Sequence, residues 1–180
     1  MSDEREKYAA YPHTVLAFGG AAPFRVDLRV PLTAADRARL AALPVATPFA
    51  VFTAENPEGE NVEDADDPGE AAAKARANQR RTRTLVELLE ADTVPFVRVD
   101  GMAPDGDYRE RCIAVGLSLQ AAAGLAERAR QLALFWYDGE TFWLIPAAAE
   151  QPPRRLPAPE AAHEAAHEAA HDSAGGATAG

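Results

Sequence analysis

The run Phe49-Ala-Val-Phe-Thr-Ala54 is almost wholly apolar and is bracketed by Pro48 and Pro57. It is too short for a buried helix and shows no alternation of polar and apolar residues. It therefore reads as a strand covered on both faces, the kind found inside a layered α/β sheet. Every other element has to be arranged around that strand.

Upstream, Thr14-Val-Leu-Ala-Phe18 is strand-like and ends at Gly19-Gly20. Phe24, Val26, Leu28 and Val30 alternate with charged residues, which predicts a half-buried strand stopped by Pro31. Thr33 with Asp36 predicts a capped helix that buries Leu40 and Leu43. Downstream, residues 71–91 predict the longest helix, and Val94–Val99 and Arg109–Leu117 predict strands around the turn Pro104-Asp-Gly106. Ser118 predicts an N-cap for a helix to about Arg130. Leu132–Tyr137 and Thr141–Ile145 are strands joined at Asp138-Gly139, a hairpin signal. From Phe49 the order is β-α-β-β-α-β-β. This predicts an α/β (α+β) fold with a split β-α-β-β-α-β, ferredoxin-like core, extra N-terminal strands and a C-terminal hairpin. Residues 1–12 read as a flexible polar arm, 13–147 as one globular domain, and 148–180 as a disordered tail rich in Pro, Ala and His.

The 180 residues carry a formal net charge of -10, which argues against a nucleic-acid partner because phosphate binding calls for basic surface. No apolar run is long enough for a membrane span, and the charged N-terminus does not resemble a secretory signal. Cys112 is the single cysteine, which excludes an internal disulfide and fits a cytoplasmic setting. Eight of the acidic residues fall between Glu55 and Glu70 with no basic residue among them. That stretch reads as a long acidic loop, neutralised by Arg76, Arg80, Arg81 and Arg83 of the following helix.

Three polar residues sit where a site could form. Asn78 falls on the apolar face of the long helix, so its amide is either tied to backbone or aimed into a pocket. Glu110 opens a strand whose same-face residues are Cys112, Ala114 and Gly116, so it needs a partner from Arg81, Arg109 or a ligand. Gln131, at a helix-to-strand junction, either caps the helix or lines the same crevice. In the tail, His163, His167 and His171 recur at intervals of four and would give only incidental metal affinity. No cofactor is expected.

The combination of Phe49-Ala-Val-Phe-Thr-Ala-Glu-Asn-Pro57, Asn78, Pro104-Asp-Gly-Asp-Tyr-Arg-Glu110, Gly116-Leu and Ala129-Arg-Gln-Leu-Ala133 resembles the family called domain of unknown function 3293. The resemblance covers about residues 45–146. Glu55 and Tyr108 stand where the family has tryptophan, and Arg130 stands where it has glycine. The resemblance implies a site at Thr53, Asn56, Asn78, Glu110 and Gln131, and no reaction. Amides and a hydroxyl suit a ligand-binding or regulatory module, with a small molecule or a protein as partner. The alternative is a hydrolase using Glu110 as general acid or base, with Asn56 and Gln131 as polar stabilisers. A third reading is an interaction protein that pairs through a sheet edge or the tail.

Overall fold

The computed structural model describes residues 2–20, 22–57, 61–62, 65–147, 151–159 and 161–166. The first part of the chain forms α1 (Ser2–Ala10), a 3-10 turn (Tyr11–His13), β1 (Val15–Phe18), β2 (Phe24–Asp27) and α2 (Ala34–Ala41). Then come β3 (Phe49–Thr53), α3 (Pro68–Ala91), β4 (Phe96–Met102), β5 (Arg109–Val115) and α4 (Leu119–Arg128). The chain closes with β6 (Ala133–Tyr137), β7 (Phe142–Pro146) and β8 (Arg154–Arg155). The eight strands make one antiparallel sheet in the order β2-β1-β4-β5-β3-β6-β7-β8.

Strand β3 lies between β5 and β6, and all five of its residues are buried. Its alternate residues feed two cores. Phe49 and Val51 join Leu16, Phe18, Cys112, Tyr137 and Leu144, covered by Tyr8, Leu40 and Leu156. Ala50 and Phe52 join Ile113 and Val115, covered by Leu89 of α3 and by Ala122 and Ala126 of α4. The apolar run is thus continuous because both of its faces are covered.

Local signals set the helix starts. Thr33 and Asp36 form a reciprocal capping box for α2, and the Ser118 hydroxyl accepts from the N–H of Ala121 at 3.2 Å. Helix α3 begins at Pro68, earlier than residue 71, because the Asp67 carboxylate accepts from the N–H groups of Gly69 and Glu70. Both α3 and α4 end in Schellman turns: Val94 N–H returns to Leu89, and Gln131 N–H to Ala126. The residues in the left-handed positions are Thr93 (φ 55°) and Arg130 (φ 57°).

One strand is shorter than expected. Strand β2 stops at Asp27, because the Asp27 carboxylate captures the N–H and guanidinium of Arg29 in a turn, leaving Val30 43% exposed. The N-terminal arm is helix α1 and a 3-10 turn, seated by buried Tyr8 and by the Tyr11 ring 5.9 Å from Phe135. The described part of the tail also packs. Leu156 donates to Phe142 at 2.9 Å, Leu156 and Ala158 are buried, and residues 161–166 are helical with Ala161 buried. The sheet is correspondingly larger than the expected core, extended by β1 and β2 on one side and by β7 and β8 on the other.

Candidate functional site

The turn that follows β3 places its residues on both faces of the sheet. Asn56 adopts a left-handed conformation (φ 43°), which asparagine tolerates better than most residues, and it is 6% exposed. On the helical side its N–H donates to Oδ1 of Asn78 at 3.0 Å. Nδ2 of Asn78 donates back to Oδ1 of Asn56 at 2.6 Å. Arg81 also donates to Asn78 Oδ1, and its Nε donates to the carbonyl of Ala54 at 3.1 Å. On the other side Nδ2 of Asn56 donates to Oε1 of Glu110 at 2.8 Å and to the Tyr108 hydroxyl at 2.9 Å.

These bonds orient both amides. Asn78 Oδ1 receives N–H donors from Asn56 and Arg81, so the other end of Asn78 must donate to Asn56 Oδ1. That leaves the NH2 of Asn56 facing Glu110 and Tyr108. Asn56 therefore ties α3 to β5 through the end of the sheet.

Glu55 turns inward as well. It is 6% exposed, and its carboxylate accepts from Arg111 Nε at 2.8 Å, Arg111 N–H at 3.2 Å and the Thr82 hydroxyl at 3.1 Å. The acidic stretch thus begins inside the protein, which its charge pattern does not indicate. Arg81 likewise serves Ala54 and Asn78, while Arg76, Arg80 and Arg83 are exposed on the outer face of α3. The carbonyl of Glu55 accepts from Nε2 of Gln131 at 2.7 Å. Thr53 donates its hydroxyl to the carbonyl of Arg111 at 2.8 Å and accepts from the N–H of Glu55 at 2.9 Å. Thr53, Asn78 and Gln131 thus hold the turn by its backbone and by Asn56.

Asn56 and Glu110 open onto a cavity of about 600 Å3 between the β4–β5 hairpin and the N-terminal segment. Tyr11, His13, Met102 and Tyr108 line it with them. Of the five residues singled out in sequence, these two reach the cavity and the other three lie behind it. Glu110 faces Gly101 across the β4–β5 ladder, where a Cβ would come within 3.3 Å of Cys112 Sγ. The hydroxyls of Tyr108 and Tyr11 are raised above the ordinary tyrosine range, chiefly by burial and further by the charge of Glu110. Burial and then Glu110 also push the Cys112 thiol well up, which keeps it neutral.

Tyr11 and His13 escape sequence reasoning because nothing local marks an N-terminal segment as a cavity wall. The run Tyr11-Pro-His13 was the available sign, an aromatic pair in an otherwise polar arm. Among the described residues no group of three or more His, Cys, Asp or Glu could hold a metal ion. His163 is exposed, and His167 and His171 lie outside the described residues. Among the described residues no helix is long and apolar enough to cross a membrane.

No curated protein and no solved structure matches the chain. The family model described as "Protein of unknown function (DUF3293)" matches residues 52–134, the segment that carries Asn56, Asn78, Glu110 and Gln131, and it is the family that the sequence resembles.

Proposed function

We propose that the protein is a small-molecule binding module whose ligand occupies the cavity beside Asn56, Tyr108 and Glu110. The observation that carries this reading is the support given to one carboxylate. Glu110 is held by Asn56, which is in turn held by Asn78 and Arg81 on the far side of the sheet. Preorganisation of this kind is what a recognition site requires, and a cavity of about 600 Å3 lies within the usual range for ligand sites.

The hydrolase reading receives less support. Both hydrogens of the Asn56 amide are spent on Glu110 and Tyr108, and the Gln131 amide donates to the carbonyls of Glu55 at 2.7 Å and Ala129 at 3.5 Å. Neither offers a donor to a developing oxyanion. The strand order β4-β5-β3-β6, with α3 and α4 packed on one face, supports the split β-α-β-β-α-β reading of the core. The single cysteine supports a reducing, cytoplasmic setting.

Native mass spectrometry of the full chain purified from cells tests the reading. A small-molecule adduct should be present and should be lost in Ala103→Trp, which fills the cavity from the β4 end. A chain that carries no adduct, and whose Asn56, Gly101 and Tyr108 amide resonances respond to no fragment in an NMR screen, overturns it.

A further inference from the structure

We infer that residues 2–13 form a strap over the cavity that lifts to admit a ligand, with the His13–Glu164 pair as its latch; the gating role rests on the binding reading above. Helix α1 and the 3-10 turn supply one wall of the cavity through Lys7, Ala10, Tyr11 and His13, opposite Met102 and Tyr108 of the β4–β5 hairpin. Among the described residues, none of this segment is paired into the sheet. Helix α1 is nine residues long, below the roughly 12–15 at which an isolated helix holds in water, and Ser2 to Lys7 offer no apolar side chain to a packing face. The segment is therefore seated by side chains rather than by sheet pairing. Tyr8 is buried with its ring 6.1 Å from that of Tyr11, and the Tyr11 ring lies 5.9 Å from Phe135. Beyond Thr14 the chain is fixed, since the Thr14 carbonyl accepts from the N–H of Leu28 at 3.0 Å and β1 begins at Val15. Thr14 is thus the pivot.

Two features poise the strap to move. The Tyr8 hydroxyl is buried and has no hydrogen-bond partner among the described residues. A buried hydroxyl without a partner opposes the state that buries it, so water favours the lifted strap. The latch is also weak enough to open. His13 Nδ1 lies 2.7 Å from Glu164 Oε2, with the two side chains 30% and 53% exposed. A pair so open to water shifts an equilibrium by no more than about fivefold. It joins the strap to the helical residues 161–166, in which Ala161 and Ala165 are buried. The two ends of the chain thus meet at the latch. Cys112 lines the cavity and is 8% exposed, so its thiol reports opening without any ligand.

The test is the rate at which iodoacetamide modifies Cys112 in the full chain at one fixed pH. At low urea that rate should depend only weakly on urea, because lifting a short segment exposes little surface, whereas labelling through global unfolding climbs with the full unfolding slope. Glu164→Gln, outside the cavity lining, should speed labelling about two- to fivefold. Tyr8→Phe, which removes the unpartnered hydroxyl and keeps the ring, should slow it at least about threefold. A parent rate that tracks global unfolding, or one that neither substitution moves, overturns the inference. Because labelling needs no ligand, a chain that opens in this way but carries no adduct loses the binding reading and keeps the moving strap. A chain that carries an adduct and labels only through global unfolding loses the strap and keeps the binding reading.

Discussion

Asn56 and Asn78 exchange hydrogen bonds at the end of β3, backbone N–H to Oδ1 at 3.0 Å in one direction and Nδ2 to Oδ1 at 2.6 Å in the other. Both residues are buried, so a partner removed from either leaves polar atoms without water to replace it. Asn78→Leu should lower stability by about 1–3 kcal/mol, the usual cost of orphaned buried polar groups. It should also loosen Glu110, since Asn56 loses its anchor on α3. Urea unfolding, together with the exchange rate of the Asn56 amide, reads both effects; an unchanged midpoint would remove Asn78 from its structural role.

Gly116 follows β5 against the chain at Ala46. A Cβ there would lie 3.0 Å from the nitrogen and 3.1 Å from the oxygen of Ala46, atoms of the backbone that cannot swing aside. Gly116→Ala should therefore destabilise the protein by about 1–3 kcal/mol, as overpacking does elsewhere. Thermal unfolding settles the point, and an alanine variant as stable as the parent would refute it.

The two Schellman turns predict changes of the same sign and different size. Thr93 and Arg130 sit in left-handed conformations that cost a residue with a Cβ roughly 1 kcal/mol. The β-branched Thr93 is the worse placed of the two, and it is exposed. Thr93→Gly should raise the unfolding midpoint, and Arg130→Gly should raise it by less, because glycine also makes the unfolded chain more flexible. A lowered midpoint in Thr93→Gly would count against the assignment of strain.

Acid should weaken the fold through Asp36 and Asp138. The Asp36 carboxyl is held below the usual aspartate range first by the Thr33 hydroxyl and then by its N–H. Burial acts to raise Asp138, and the N–H groups of Thr141 and Glu140 with the Trp143 indole outweigh it, so it too is lowered. A carboxyl with a folded-state pKa below its unfolded value stabilises above the unfolded value, and that stability is lost as pH falls through the folded one. Stability should thus decline below about pH 4, with a shallower decline in Asp36→Asn and Asp138→Asn. Urea midpoints measured across that interval would show parallel curves if neither carboxylate contributes.

Cys112 should be a slow nucleophile. Burial holds its thiol neutral, and the Glu110 carboxylate nearby opposes the thiolate further. Iodoacetamide at mildly alkaline pH should modify the folded chain far more slowly than the urea-unfolded chain. Equal rates would contradict the burial of the sulfur.

Much of this protein is written locally. The apolar run of β3, the capping box at Thr33, the Ser118 cap and the Asp138-Gly139 hairpin depend on neighbours a few residues apart, so the sequence alone determines them. Asn78 and Glu110 also stand out in the sequence, because an amide on an apolar helix face and a carboxylate on an apolar strand face each demand a partner, whereas Asn56 is marked only by the family resemblance. Which partners they find is decided only by the tertiary structure. The β3–β5 register brings the turn after β3 beside the start of β5, with α3 behind it. Glu55 is drawn inward by Arg111 and Thr82, residues 56 and 27 positions away. The cavity exists because an N-terminal segment without an apolar stripe is anchored by two tyrosines over the far end of the sheet. Hydrogen-bond demand is a property of a residue, but its satisfaction is a property of packing, and the site lies where the two meet.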